Sequence, residues 1–458
     1  MKLISTDPSY GYKRIGSVSV STHREVTAKV RAARKAARRW KEIGLDHRIK
    51  LVRALAKAFS KNKVHLSKIQ SAEMGMRIAE SEGEIDGAAH FLEWYSDHAH
   101  EALDPVVTFE DKKERHEARR EPRGVLAVIV PWNYPFANFV WQCGQNLLAG
   151  NTIVFKHSEE TPLCGKAIEK LVREAGIPKG VFEEVYGDGK VGAMLAHSDV
   201  DGICFTGSTK VGESLYLSGA KRLLPVHLEL GGSSPGIVFS DADIKQSAEW
   251  IYNYRFTGCG QQCKAIKRLI VHESVFDRVV TLLMQRISKV RVGPADDRMA
   301  SLGPLVAERQ VKLLEEQVSD AKQKGARILV GGKRPDGLQG AYYEPTLITK
   351  IKPIMRVWRE EVFGPVLSIV PFKTEEQALT LANDTDYGLG AFVFTKNATR
   401  FERVAKRLDS GMVSMNHTNF VRACNPFGGY KRSGLGREHG IFGFHDATQL
   451  KLVSFPKI

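Results

Sequence analysis

The residues best suited to chemistry gather around one of six cysteines. Cys143, Cys164, Cys204, Cys259, Cys263 and Cys424 are scattered through 458 residues, too sparsely for a disulfide framework. No spacing of Cys and His has the form of a zinc site, and the Asp97-His98-Ala99-His100-Glu101 run lies in a polar helical stretch. No metal is expected. Cys263 closes the segment Gly260-Gln261-Gln262-Cys263, directly after the helical periodicity of residues 243–256. A thiolate there can add to a carbonyl and hold the product as a thioester. A free thiol ionises near ~8.5, so Cys263 needs help near neutral pH. Glu229 lies thirty-four residues upstream in Leu228-Glu229-Leu230-Gly231-Gly232. A carboxylate between an apolar strand and a glycine pair is a candidate general base. Cys259, one turn before Cys263, reads as a bystander.

These groups need a frame, and the chain supplies one. A chain this long should hold two or three structural units. Residues 26–59 carry apolar side chains at helical spacing in two segments, and helical patterning dominates the N-terminal third. From residue 124 the pattern alternates. Strands are expected at 125–130, 152–156, 181–185, 202–205 and 226–228, with helices at 138–148, 162–175, 191–196 and 210–218. That rhythm predicts parallel sheets covered by helices on both faces. A second series follows, with strands at 237–239, 268–271, 326–330 and 366–372 and helices at 244–256, 275–290, 375–382 and 399–408. The expected fold is α/β, with two doubly wound domains. Residues 1–105 and 124–230 form a dinucleotide-binding domain, and 231–440 a catalytic domain. Residues 106–123 and 441–458 form a small β flap for oligomerisation, with a last strand that pairs with another subunit.

Gly187-Asp188-Gly189-Lys190-Val191-Gly192 matches the GxGxxG pattern, but no acidic residue at a strand end follows at the required distance. A plain glycine-rich turn is an equal reading. Four further segments carry more. They are Pro131-Trp132-Asn133-Tyr134-Pro135, Phe205-Thr206-Gly207-Ser208-Thr209 with Gly212, Glu361-Val362-Phe363-Gly364-Pro365, and Pro426-Phe427-Gly428-Gly429 with Lys431, Ser433 and Gly434. With the Glu229 and Cys263 segments in this order, the chain resembles the aldehyde dehydrogenase superfamily from about residue 20 to 450. Two positions depart from the family pattern. His157 stands where a proline or small apolar residue is commoner, and Gly258 where an asparagine is usual, which would loosen the loop behind the thiol.

The resemblance implies oxidation of an aldehyde to its acid with a nicotinamide cofactor. Cys263 would be the nucleophile, Glu229 the base that activates the hydrolytic water, and the Asn133 amide with the Cys263 N–H the oxyanion donors. It assigns Trp132, Lys156, Glu159, Thr206, Gly207, Ser208, Gly212, Glu361 and Phe363 to the cofactor. A carboxylate at Glu159 would accept from a ribose 2′-hydroxyl and repel a 2′-phosphate, so NAD is expected over NADP. The aldehyde tunnel would be lined by Tyr134, Asn138, Trp141, Gln262 and residues 416–425. Within that loop Arg422 could hold a carboxylate, as in succinate semialdehyde. Relatives that pass the thioester to coenzyme A lack the glutamate that is present here as Glu229. Family members are usually homodimers or homotetramers.

The net charge of +15 raises nucleic-acid binding as a reading from another class. Arg31, Arg34, Lys35, Arg38, Arg39 and Lys41 fall within eleven residues. Amphipathic helices with basic outer faces account for them without a partner. The N-terminus has no apolar region after its first charge, and no apolar run approaches the ~18 residues of a membrane span. No nucleic acid and no membrane are expected as partners, and the location expected is the cytoplasm.

Overall fold

The computed structural model describes residues 1–457. Its strands fall into two large sheets and three small ones. The first large sheet has six strands, in the order Gly434–Leu435, Val226–Glu229, Gly202–Thr206, Val125–Ile129, Thr152–Lys156, Phe182–Val185. All its pairings are parallel except that of Gly434–Leu435. Val125–Ile129 and Thr152–Lys156 are buried along their whole length, as central strands covered on both faces must be. One face carries Pro135–Ala149 and Pro162–Glu174, packed with Leu45–Lys61 and Ile78–Asp97 into an aromatic-rich core. His23–Glu42, Gly189–Ala196 and Thr209–Ala220 cover the other. His23–Glu42 starts at a capping box in which Thr22 and Glu25 satisfy each other's backbone N–H groups. Its basic face is partly neutralised by the chain itself, since Arg34 pairs with Asp199 and Asp201, Arg38 with Glu42, and Lys41 with Glu121.

The second large sheet has seven strands, in the order Arg327–Val330, Thr346–Thr349, Val366–Phe372, Ile266–His272, Ser234–Val238, Gly390–Phe394, Met412–Met415. Only the edge strand Arg327–Val330 runs antiparallel. Both of its faces are covered, by two separate apolar clusters. The chain therefore has the α/β, doubly wound architecture expected of it.

Three features differ from the expectation. Residues 1–19 are not helical but form the hairpin Lys2–Asp7 with Lys13–Ser19; the turn between them contains Gly11 and Tyr12, both at positive φ. The segment after Met412–Met415 leaves the second sheet. Gly434–Leu435 crosses back and pairs with Val226–Glu229, with Gly434 opposite Glu229, and the following helix Gly440–Asp446 packs on Pro135–Ala149. A division at residue 440 thus cuts through a segment whose last strand lies in the first sheet. Finally, Thr448–Pro456 pairs along one side within its own chain and forms the edge of a three-stranded sheet. It pairs antiparallel with Glu114–Pro122, which pairs in turn with Val106–Glu110. Such long-range pairings leave no mark on local periodicity. Among the described residues no helix is long and apolar enough to cross a membrane.

The return strand depends on a close approach. A Cβ at Gly434 would lie 2.3 Å from the Leu228 carbonyl oxygen. Gly434→Ala is therefore expected to destabilise by about 1–3 kcal/mol, read as a lower denaturant midpoint in equilibrium unfolding; an unchanged midpoint would show that the strand yields freely.

Candidate active site

The carboxyl ends of the first sheet and the segment before Ile266–His272 meet around a cavity of about 660 Å³. Glu229 is the last residue of its strand. The chain continues through Leu230, Gly231 and Gly232 to Ser234–Val238 in the second sheet, so one short connection links both sheets at the site. Cys263 follows a sharply folded turn after the helix Ile244–Phe256. Gly258 and Cys259 are both left-handed there, at φ 62° and 55°. Glycine suits the first position and strains nothing, so Gly258 shapes this turn rather than loosening it. The Gly258 carbonyl accepts from the N–H of Gln261 and from its side-chain amide. Gly260 is also left-handed, and a Cβ there would sit 2.4 Å from the Gly364 carbonyl oxygen.

Close packing holds the two halves together. A Cβ on Gly232 would lie 2.7 Å from the Cys263 carbonyl oxygen. Fully buried Lys267 donates to that same oxygen at 2.7 Å, to the Gln262 carbonyl at 3.1 Å and to Glu361 Oε1 at 2.9 Å. Glu361 Oε1 also accepts from the Gly232 N–H at 3.0 Å. The Asn133 amide donates to the Gln261 carbonyl at 2.9 Å, which fixes its side chain beside the thiol segment.

Of the two central acids, Glu229 is buried and Cys263 partly so. Burial pushes the Cys263 thiol up to about 12, against the pull of Lys267 and with repulsion from Glu361 and Glu229. Burial also pushes Glu229 well above the usual carboxylate range, helped by Glu438 and opposed by His227 and Arg437. Neither carboxyl oxygen of Glu229 has a hydrogen-bond partner. An unpartnered buried carboxyl is costly and free to serve a proton in the cavity.

The cavity's lining falls into two sets. Trp132, Thr206, Gly207, Ser208, Leu230, Gly231, Glu361 and Phe363 come chiefly from the sheet ends and their loops, whereas Phe91, Tyr134, Asn138, Trp141, Gln262 and Phe427 enclose an aromatic recess. Ser208 precedes the helix Thr209–Ala220 and makes no capping bond with its side chain. Its first N–H groups therefore stand ready for an anion. A Cβ on Gly207 would meet the Phe205 ring at 2.4 Å, so only glycine lets the backbone run here. An aldehyde dehydrogenase family model matches residues 2–453. The chain belongs to the aldehyde dehydrogenase family.

Its relatives agree over nearly their whole length. Peroxisomal aminoaldehyde dehydrogenase 1 of Pisum sativum is 39% identical, over 96% of this chain and 90% of that protein. The NADP-named succinate-semialdehyde dehydrogenase of Escherichia coli K12 is 35% identical, over 98% and 93%. The NAD⁺ complex of a Bacillus cereus aldehyde dehydrogenase superposes with a TM-score of 0.96 at 31% identity, covering 100% of this chain and 93% of that one. This aldehyde dehydrogenase oxidises aldehydes with NAD or NADP as the acceptor.

Of the residues singled out from sequence, Cys263, Glu229, Asn133, Trp132, Tyr134, Asn138, Trp141, Thr206, Gly207, Ser208, Gln262, Glu361 and Phe363 all line the cavity. Lys156, Glu159 and Gly212 do not. Lys156 is buried beside Gly192 and donates to Glu159 at 3.2 Å. Gly212 makes room for Leu230, 2.4 Å from where its Cβ would be. Arg422 lies outside the site. It is exposed, because a turn in which Asn425 donates to the carbonyls of Arg422 and Phe420 sends Val421 inward and Arg422 outward. Gly187, Asp188 and Gly189 form a helix-capping turn at the sheet's edge strand and not a phosphate loop.

Sequence reasoning missed several lining groups. Buried Glu84 accepts from the N–H groups of Phe136 and Ala137 at 3.1 and 2.9 Å, and so caps the helix Pro135–Ala149 across the fold. Burial raises its carboxyl to about 7. Asn253, Tyr254, Lys264 and Arg309 also line the cavity; the Arg309 guanidinium lies 5.9 Å from the Trp132 ring centroid. Lys264 was within reach of sequence reading, since it follows the thiol directly.

The thiol's state is measurable. Alkylation of Cys263 by iodoacetamide, followed on its peptide by mass spectrometry without cofactor, should keep accelerating past pH 9, because the group stays protonated until near its raised value. A rate plateau at neutral pH would mean a thiolate at rest and would contradict this.

Proposed function

We propose a hydrolytic mechanism in which Cys263 is the nucleophile and Glu229 the general base. The observation that carries it is that a partly buried thiol and a buried, unpartnered carboxyl share one cavity. The thiol proton goes to Glu229, and the thiolate adds to the aldehyde carbon to give a tetrahedral oxyanion. The free N–H of the Asn133 amide and the Cys263 backbone N–H serve that oxyanion; loss of one such donor costs about 3–4 kcal/mol. A nicotinamide held by Glu361 and Phe363 would supply the hydride acceptor, and oxidation of the tetrahedral adduct gives a thioester on Cys263. Glu229, having released the thiol proton to solvent, then takes a proton from water, hydroxide adds to the thioester, and the acid departs as the C–S bond breaks and Cys263 leaves as the thiolate. The presence of Glu229 favours water over coenzyme A as the acyl acceptor.

In the cofactor site, the uncapped helix start at Ser208 suits a pyrophosphate, and Glu361 and Phe363 suit the nicotinamide ribose. Glu159, placed beyond the strand Thr152–Lys156, supports NAD over NADP by repelling a 2′-phosphate. The expected result is a higher kcat/KM with NAD; the reverse order would remove this reading.

The substrate is a small aldehyde. With Arg422 outside, the cation nearest the thiol in sequence is Lys264, which lines the recess with four aromatic rings. A carboxylate tail such as that of succinate semialdehyde would then meet Lys264, in line with the E. coli relative. Lys264→Met should lower kcat/KM for succinate semialdehyde while leaving butanal little changed. An equal effect on both would exclude a carboxylate contact.

Three variants test the core chemistry. Cys263→Ala should form no NADH. Glu229→Gln should give a slowed burst of at most one equivalent per site and then stall at the thioester, and Asn133→Ala should lose about 10²–10³ in kcat. Steady turnover by Cys263→Ala would overturn the mechanism. A homo-oligomer in the cytoplasm is the assembly and place we favour, on the exposed apolar residues Val106, Phe109, Leu450 and Leu452 of the three-stranded flap.

A further inference from the structure

A second, small cavity of about 40 Å³ lies behind Glu229, lined by His227, Arg123, Gln142, Arg437, Glu438 and Asp446 among others. His227 sits two residues before Glu229 on the same strand, so both side chains leave the same face. Its Nε2 lies 3.9 Å from Glu229 Oε1 and 3.7 Å from Glu438 Oε1, with no hydrogen-bond partner in range. Its Nδ1 lies 3.6 Å from Asp446 Oδ2. Two buried groups without partners thus face each other, and the imidazole leads on to a carboxylate that is 39% exposed. Glycine lets the ring lie here: a Cβ at Gly436 would be 2.4 Å from His227 Nδ1.

We propose that His227 is a positioning residue that keeps the Glu229 carboxylate charged and carries its proton to the surface through Asp446. The inference rests on Glu229 being the general base. At rest an imidazolium among Glu229, Glu438 and Asp446 offsets the repulsion between the two buried carboxylates. In turnover Glu229 holds one proton taken from thiol or water. The His227 Nδ1 proton passes to Asp446 and solvent, the ring turns so that the bared nitrogen faces Glu229, and the Glu229 proton moves onto it, which restores both the imidazolium and the carboxylate. One proton leaves per transfer, and nothing is oxidised or reduced. The surroundings favour a cation. Although burial opposes charge on the ring, Asp446, Glu438 and Glu229 together raise His227 to about 10. Asp446 is held low by His227 and by the Arg437 N–H, against its own burial, with Arg123 adding to the pull. The other groups facing the ring are Arg437 and Glu438, from the segment before the helix Gly440–Asp446, and Gln142 from Pro135–Ala149, whose amide donates to Glu438.

The test is the pH profile of steady-state NADH formation. Removing a cation beside a carboxylate raises its pKa, so in His227→Asn the acid limb of kcat should move up by about one to two units. At a pH on that limb, turnover then falls about tenfold per unit. Asp446→Asn should move the limb in the same direction, because the imidazole loses its own counter-charge. Circular dichroism and thermal melting establish that each variant is folded. An unmoved limb in folded His227→Asn overturns the proposal. If that variant does not fold, an unmoved limb in Asp446→Asn does so. Glu229→Gln separates the two levels: if it sustains turnover the general-base reading fails, and if it stalls while both other variants keep the parent profile, only the relay falls.

Discussion

The site depends on one close approach, that of the Gly231-Gly232 backbone to the carbonyl of Cys263. The connection between the two large sheets runs through these glycines, and a Cβ on Gly232 would fall 2.7 Å from the Cys263 oxygen. Because interiors are close-packed and yield little, this contact sets the distance between Glu229, at the end of one sheet, and Cys263, which precedes a strand of the other. Lys267 locks the arrangement from behind by joining the Cys263 and Gln262 carbonyls to Glu361, which in turn holds Gly232. Cys263, the Gly231-Gly232 connection from Glu229, and Glu361 are therefore one mechanical unit.

Electrostatics follows from that packing. Withdrawing Cys263 and Glu229 from water favours the neutral form of each. The thiol is thus protonated at rest, whereas the neighbouring His227 opposes the same tendency at Glu229. Buried cations elsewhere act as struts. Arg268 donates to the carbonyls of Ser233, Leu381 and Ala382, and Arg255 to those of Val362 and Gly364. Both tie the chain beside Cys263 and Glu229 to the second half of the molecule. Such buried donors fix geometry more surely than they add stability.

Much of this was legible in the chain. The alternation from residue 124 gave the five parallel strands of the first sheet and four of the seven strands of the second, because central strands are apolar throughout, but it missed Thr346–Thr349, Gly390–Phe394, Met412–Met415 and the helix Glu308–Gln323. Thirteen residues named from motif and chemistry do line the cavity, since short segments around turns keep their local geometry wherever they lie. What stayed hidden has a common cause. Glu84 caps a helix that begins fifty-one residues later, His227 faces acids from the far end of the chain, and Gly434–Leu435 returns to a sheet the chain had left. Arg422 shows the converse: a charge in the right loop is turned outward by a hydrogen-bond pattern that composition does not reveal.

By itself the sequence determined the fold class and the family chemistry, and it named the residues proposed as thiol, base and oxyanion donor, because each is written in local runs of residue type. Only the tertiary structure decided which charges enter the recess, which carboxyl is left without a partner, and where the final strands pair. Those properties arise from contacts between residues tens to hundreds of positions apart, and burial and distance, which set proton affinity and access, exist only once those residues have met.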